Sequence, residues 1–264
     1  MSAIAGVATL TVVTAAFSPG SDDTASAASP RTEQRETVHW SYRGHTGPEY
    51  WATLSEDFAA CGEGLEQSPI DLPEDSAIGA STDAAITIDY EPVTANLVNN
   101  GHTVQANVSP GSRIIVQETA YELRQFHFHL PSEHTEDGEH TAMEVHFVHA
   151  DAEGDLAVVG VLMEKERGES AFTDLWPSLP TEEGDEAAID EPFDLTEFLP
   201  DDRDQYQYDG SLTTPPCTEG VRWIVLDDPV SVTPRQVATY RQIFHTSNRP
   251  TQPLNDRLVT VVED

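Results

Sequence analysis

The stretch that decides the reading is Arg124–His149, RQFHFHLPSEHTEDGEHTAMEVHFVH. Its two ends alternate polar and apolar residues with the period of two that an extended strand imposes. In Tyr121–Leu130 the residues Gln125, His127 and His129 fall on one face, with Phe126 and Phe128 on the other. In Met143–His149, Glu144 and His146 share a face and His149 takes the opposite one. Two histidines from one strand and one from a neighbour supply three nitrogen donors around a point and leave a fourth position open. That is the ligand count of a catalytic zinc site. His127, His129 and His146 are the set consistent with strand parity, whereas His134, His140 and His149 are expected in loops or at the rim. Gln125 stands two residues before His127, and Glu144 two before His146. Both are spaced to hold a ligand's second ring nitrogen and fix its orientation.

Working outward, Ala85–Tyr90, Ala95–Val98, Thr103–Val108, Arg113–Gln117, Leu156–Glu164 and Val221–Leu226 have the β-branched and aromatic content of strands. Asn99-Asn100-Gly101 is a turn signal between two of them. Helix signals are few. Thr233-Pro234 opens one helix with a capping residue and a proline at its first position, and Val237, Tyr240 and Phe244 give it an apolar face. A short helix is expected before Pro177. The acid-rich Thr181–Glu191 reads as a solvated loop without the spacing of a calcium site. The expected fold is mainly β (α+β). It is a single domain over residues 31–264, with a large twisted, mostly antiparallel central sheet and small peripheral helices.

Upstream, Ala3–Phe17 is an uncharged run of small and apolar residues, and Ala25-Ser26-Ala27 has the small-residue pattern of a cleavage site. Residues 1–30 are therefore expected to be a secretory leader cut near residue 27, although no cation precedes Arg31. The run is short for a membrane span, so stable membrane insertion is not expected. The mature protein is expected to be exported, periplasmic or extracellular. Two cysteines in that compartment, Cys61 and Cys217, suggest one disulfide, with two free thiols as the alternative. Asp and Glu number 47 against 13 Lys and Arg, a net charge of −34. Such a chain repels phosphate backbones, which excludes a nucleic-acid binder. Lys165 is the sole lysine. Together with the scattered acids it suggests adaptation to high salt, with codon bias as the alternative. Nothing in the sequence sets the oligomeric state, and a homodimer is compatible with it.

Read in order, several motifs resemble the α-class carbonic anhydrase family. They are Trp40-Ser-Tyr42 with Gly47-Pro48-Glu49-Tyr50-Trp51, Cys61-Gly62-Glu-Gly64 with Gln67-Ser68-Pro69-Ile70-Asp71, and Asn99-Asn100-Gly101-His102. The Gln125–His129 and Ala142–His149 strands, Gly210–Cys217 (GSLTTPPC) and Asn248-Arg249-Pro250 follow. The resemblance covers about residues 38–262 and implies reversible hydration of carbon dioxide to bicarbonate and a proton. The cofactor would be Zn²⁺ on His127, His129 and His146, and the step zinc-hydroxide attack. It implies Thr213 as the gatekeeper hydroxyl donating to Glu133, Thr214 as a bicarbonate contact and His102 as the proton shuttle. Val148, Val158, Leu212, Val221 and Trp223 match the apolar wall for carbon dioxide. Tyr42, Asn100 and Gln105 match the residues of the water chain, and Asn248 joins Gln125 and Glu144 in supporting the ligands. Cys61–Cys217 matches the disulfide of exported members. Two rivals stand beside this reading. A metal-binding cupin would use His127, His129 and Glu133 (HxHx3E), but its second motif is not visible and GSLTTPP would have no role. An inactive family member acting as a binding module is opposed by the presence of all three histidines, Thr213, Glu133 and His102.

Overall fold

A computed structural model describes residues 38–73, 86–168 and 170–263; the expected leader and its cleavage site lie outside them. The chain forms β1 (Asp71–Leu72), β2 (Thr87–Asp89), β3 (Val93–Asn99), β4 (Val104–Val108), β5 (Arg113–Val116), β6 (Thr119–His129), β7 (Thr135–Glu136), β8 (Glu139–His140), β9 (Met143–Ala150), β10 (Leu156–Lys165), β11 (Glu186–Phe193), β12 (Gln205–Ser211), β13 (Glu219–Val232) and β14 (Thr260–Val262). Three short α-helices accompany them, α1 (Trp51–Leu54), α2 (Ala60–Glu63) and α3 (Pro234–Ile243). One large sheet runs β11-β3-β4-β6-β9-β10-β13-β12-β14, with β5 bridging β2 and β6, and β1, β7 and β8 form a small sheet apart. Within the large sheet only β10 and β13 pair in parallel among the described residues.

The central strands are buried on both faces, so β10 reads as the nearly continuous apolar run LAVVGVLM rather than as an alternation. On one face Phe126, Phe128, Phe147 and Val159 pack with Phe172, Trp176 and Tyr240. On the other, Val158, Leu162, Tyr208 and Trp223 pack with Ile70 and Val259. Because Phe126 and Phe128 enter the first layer, the alternate residues His127 and His129 must point into the second. Helix α3 closes the first layer. Thr233 Oγ1 accepts from the Gln236 N–H at 3.2 Å and the Thr233 N–H donates to Gln236 Oε1 at 2.8 Å, a reciprocal cap.

Two local expectations are corrected. Thr181–Glu191 is a loop only as far as Asp185; Glu186–Phe193 is the edge strand β11, paired antiparallel with β3. Its Ala187 and Ile189 pack on the core while Glu186, Ala188, Asp190 and Glu191 face water. A charged rim of this kind protects an exposed sheet edge from further pairing, and it also masks the strand's period in the sequence. The short helix expected before Pro177 is a 3-10 turn, Trp176–Ser178, that contains the proline. No helix among the described residues is long and apolar enough to cross a membrane.

Candidate metal centre

The β6–β9 register sets His127 opposite His146 and His129 opposite Glu144. Residues directly opposite in an antiparallel pair project to the same face, so the three imidazoles converge. Their ring centroids lie 5.0 Å (His127–His129), 5.4 Å (His127–His146) and 4.4 Å (His129–His146) apart. Strand β10 leaves room beside them. Gly160 pairs with His146, and a Cβ there would sit 3.1 Å from Glu144 Oε1 and 3.7 Å from the Trp223 ring.

Each imidazole commits one nitrogen to a protein acceptor. His127 Nδ1–H donates to Gln125 Oε1 (2.8 Å), His129 Nδ1–H to the Ser247 carbonyl (2.6 Å) and His146 Nε2–H to Glu144 Oε1 (2.8 Å). These acceptors fix the tautomers and leave Nε2, Nε2 and Nδ1 as bare lone pairs. One nitrogen from each of the three histidines lies within 4.8 Å of the other two. His129 Nε2 is buried without any hydrogen-bond partner, an arrangement that is costly unless a ligand takes up the lone pair. Burial also keeps the rings neutral. It holds His127 down at about 3, helped by His146, and His129 well below its usual value. It lowers His146 as well, against the pull of Glu144. Three neutral imidazoles are the donor set that zinc takes in a catalytic site.

His134, Glu144 and His146 form a second cluster, but a hydrogen-bonded one. His134 Nδ1–H donates to Glu144 Oε1 (2.7 Å) and its Nε2 accepts from the Tyr208 hydroxyl (2.7 Å), so neither nitrogen is left for a metal. The backbone N–H groups of Glu133 and His134 donate to Glu144 Oε2 at 2.7 and 2.9 Å. Burial alone would raise the Glu144 pKa; His134 and His146 outweigh it and hold the carboxylate well below its usual range. His134 stands in the loop between β6 and β7, as expected, but it is fully buried rather than at a rim. His149 is neither in a loop nor at the rim: it lies in β9, fully buried on the opposite face between the Tyr90 hydroxyl (2.9 Å) and the Ala157 carbonyl (3.2 Å). His140 is exposed, as expected.

Glu133 is fully buried beside the nest, and its Oε1 accepts from the Arg249 N–H at 2.7 Å. Burial pushes its pKa well above the carboxylate range, opposed by the Thr213 hydroxyl and the Arg249 N–H. The guanidinium of Arg249 donates to Gln67 Oε1, the Ser68 carbonyl and the Cys61 carbonyl at 2.8–2.9 Å, tying the Glu133 support to the amino-terminal segment. The Cys61–Cys217 disulfide is formed and ties the same segment to the loop that carries Thr213, across a separation of 156 residues.

The nest opens into a cleft of about 160 Å³. Val148, Val158, Leu212 and Trp223 line it with Thr213 and Thr214, while Tyr42, Asn100, His102 and Gln105 complete its walls. Val221, 2% exposed, packs in the apolar cluster that contains Val158 and Trp223 and backs the cleft wall. The expectation for Asn248 is corrected. Its side chain accepts from the Thr246 hydroxyl, and His129 is held by the carbonyl of Ser247. A backbone acceptor has no side-chain signature, so the sequence pointed to the wrong neighbour. Asn100 Oδ1 is taken by the N–H groups of His102 and Thr103 and shapes the turn. Gln105 donates to Asn107 Oδ1 at 2.7 Å. Sequence reasoning also missed Gly160, although a lone glycine inside an apolar strand signals close approach. It missed the supporting role of Tyr208 as well.

Three imidazoles on a central sheet, opening on a cleft with an apolar wall, form a group that could hold one metal ion. A profile of the eukaryotic-type carbonic anhydrase family matches residues 46–263. A carbonic anhydrase of Nostoc sp. is 42% identical over 227 residues, spanning 85% of this chain and 86% of the relative. One from Pectobacterium carotovorum is 37% identical over 225 residues, spanning 85% and 91%. The solved α-carbonic anhydrase of Thermovibrio ammonificans, in complex with sulfanilamide, superposes with a TM-score of 0.81 at 39% identity, covering 86% of this chain and 100% of that one. The chain belongs to the eukaryotic-type carbonic anhydrase family.

Proposed function

We propose that this chain catalyses the reversible hydration of carbon dioxide to bicarbonate and a proton, with Zn²⁺ held by His127, His129 and His146. The observation that carries the reading is the convergence of three tautomer-fixed imidazoles, one with a buried, unpartnered nitrogen, at the floor of a cleft. Zinc in such a site acts as a Lewis acid and lowers the pKa of water to about 7, an effect for which carbonic anhydrase is itself the standard example. The rest of the work falls to the chain. Glu133 as a carboxylate accepts the Thr213 proton, so the Thr213 oxygen can only accept a hydrogen bond from the cleft side. That selects a donor of fixed orientation next to the substrate. A cation beside His146 Nδ1, which lies 4.0 Å from Glu133 Oε2, favours that carboxylate form. Val148, Val158, Leu212 and Trp223 offer carbon dioxide an apolar surface, and Thr214 gives bicarbonate a polar contact. His102, half-buried at the cleft wall, takes the proton outward.

The same reading makes residues 1–30 a leader, residues 31–264 the catalytic domain, and the product exported. The excess of acids on the surface is read as salt adaptation. Zinc stoichiometry and carbon dioxide hydration measured on one purified sample, with and without a sulfonamide, test the core of it. Stoichiometric zinc with sulfonamide-sensitive hydration is expected. Zinc binding without hydration would reduce the protein to a binding module.

A further inference from the structure

Asn99, 2% exposed at the end of β3, clasps two turns together. Its N–H donates to the Asp185 carbonyl (3.0 Å), its carbonyl accepts from the Gly184 N–H (2.8 Å) and its side chain donates to the Pro180 carbonyl (3.3 Å). Its Oδ1 accepts from the Gly101 N–H at 3.0 Å, which fixes the turn that presents His102. Gly101 and Gly184 both sit at positive φ, +85° and +86°, as such tight turns require. The acid-rich loop is thereby bolted to the His102 turn, and it lays one side chain across it. A Cβ on Gly101 would meet Glu183 Cδ and Oε1 at 2.9 Å. On its other side the His102 ring stacks flat on Trp40, with centroids 3.6 Å apart and an interplanar angle of 8°.

We propose that Glu183 is a positioning residue for proton release, its carboxylate held over Gly101 so as to stabilise the imidazolium form of His102 at the cleft mouth. Its charge acts, not its proton. The inference rests on the reading of His102 as the proton outlet. The indole face of Trp40 favours the same cation. Burial lowers the His102 pKa, His39 lowers it further, and Glu183 opposes both. Arg43 and His245 line the same mouth, and Tyr42 lines both it and the cleft. Glu183 thereby limits the lowering of the His102 pKa that burial and His39 cause.

The test is an NMR titration of the His102 imidazole in the zinc-loaded protein, its cross-peak identified by its loss in His102→Asn. Glu183→Gln should shift the His102 titration downward by a few tenths of a unit in dilute buffer, the scale of an exposed charge pair. The shift should shrink in 1 M NaCl as screening shortens to about 3 Å. Glu182→Gln, in the same loop, should leave the titration unmoved. In weak buffer the pH profile of turnover should move with the titration while kcat/KM for carbon dioxide stays constant. A Glu183→Gln titration identical to that of the unsubstituted protein in dilute buffer overturns the proposal. So does an equal shift from Glu182→Gln, which would mean only a general field. If His102→Ala leaves turnover in weak buffer unchanged, the outlet reading falls instead, whatever the titration shows.

Discussion

Glu144→Gln is the substitution that most directly tests how the metal centre is prepared. Glu144 Oε2 accepts from two backbone N–H groups, and Oε1 accepts from His134 Nδ1 and His146 Nε2. A glutamine has one acceptor oxygen. The backbone donors cannot change role, so the oxygen must serve them, and the amide nitrogen then faces the two rings. Both ring nitrogens must become acceptors. For His134 the displaced hydrogen moves to Nε2, where Tyr208 oxygen can receive it. For His146 it moves to Nδ1, the nitrogen needed for the metal. Every group that bonds Glu144 keeps a partner, so the apoprotein should fold. Glu144→Ala, by contrast, strands the two backbone donors at about 1–3 kcal/mol each. Loss of a ligand's carboxylate support weakens metal binding about 10–100-fold, or about 1.4–2.7 kcal/mol. The tautomer inversion puts Glu144→Gln at the upper end of that range. Competition with a chelator measures the affinity, and long-range ¹H–¹⁵N spectra of the apoprotein report which His146 nitrogen carries hydrogen. An unchanged zinc affinity, or hydrogen retained on His146 Nε2, would refute the reasoning.

Thr213→Ala should keep its zinc and lose on the order of 100-fold in hydration rate, measured by stopped flow, the scale of one preorganised polar contact. His102→Ala should slow turnover in weak buffer and be partly rescued by added imidazole, with kcat/KM for carbon dioxide unchanged. For His149 the sign follows from burial, which holds the folded-state pKa down at about 3. The unfolded chain takes up that proton near pH 6.5, so stability is flat above about 6.5 and falls by about 1.4 kcal/mol per unit on acidification towards 3. Urea midpoints across that window should fall less steeply in His149→Gln. With a net charge of −34, the melting temperature should rise from dilute buffer to molar NaCl as the screening length falls to about 3 Å; a salt-independent melting temperature would leave codon bias as the better account of the composition.

The convergence of His127, His129 and His146 was legible because a strand has a period of two and both β6 and β9 keep it there. Phe126 and Phe128 could go only into the apolar layer, which left His127 and His129 on the other face. The capped start of α3 was legible for a similarly local reason, the Thr233-Pro234 pair. Strand β12, QYQYDGS, was not. Its glutamines and tyrosines look like a surface segment, yet Gln205–Tyr208 are buried between β13 and β14. Strand β11 was hidden by acids on its exposed edge.

The sequence by itself determined which side chains are chemically able to bind a metal and which of them share a face, since parity is a property of the backbone. It also determined the sign of the surface charge. Only the tertiary structure decided what each ligand's second nitrogen would meet. His129 is oriented by a carbonyl 118 residues away in the chain, and His134 and His149 become buried structural histidines because distant strands cover them. It likewise brought Glu183 over the turn of His102. Such contacts depend on strand order and register, set by the packing of the whole sheet, and no local pattern of residues encodes them.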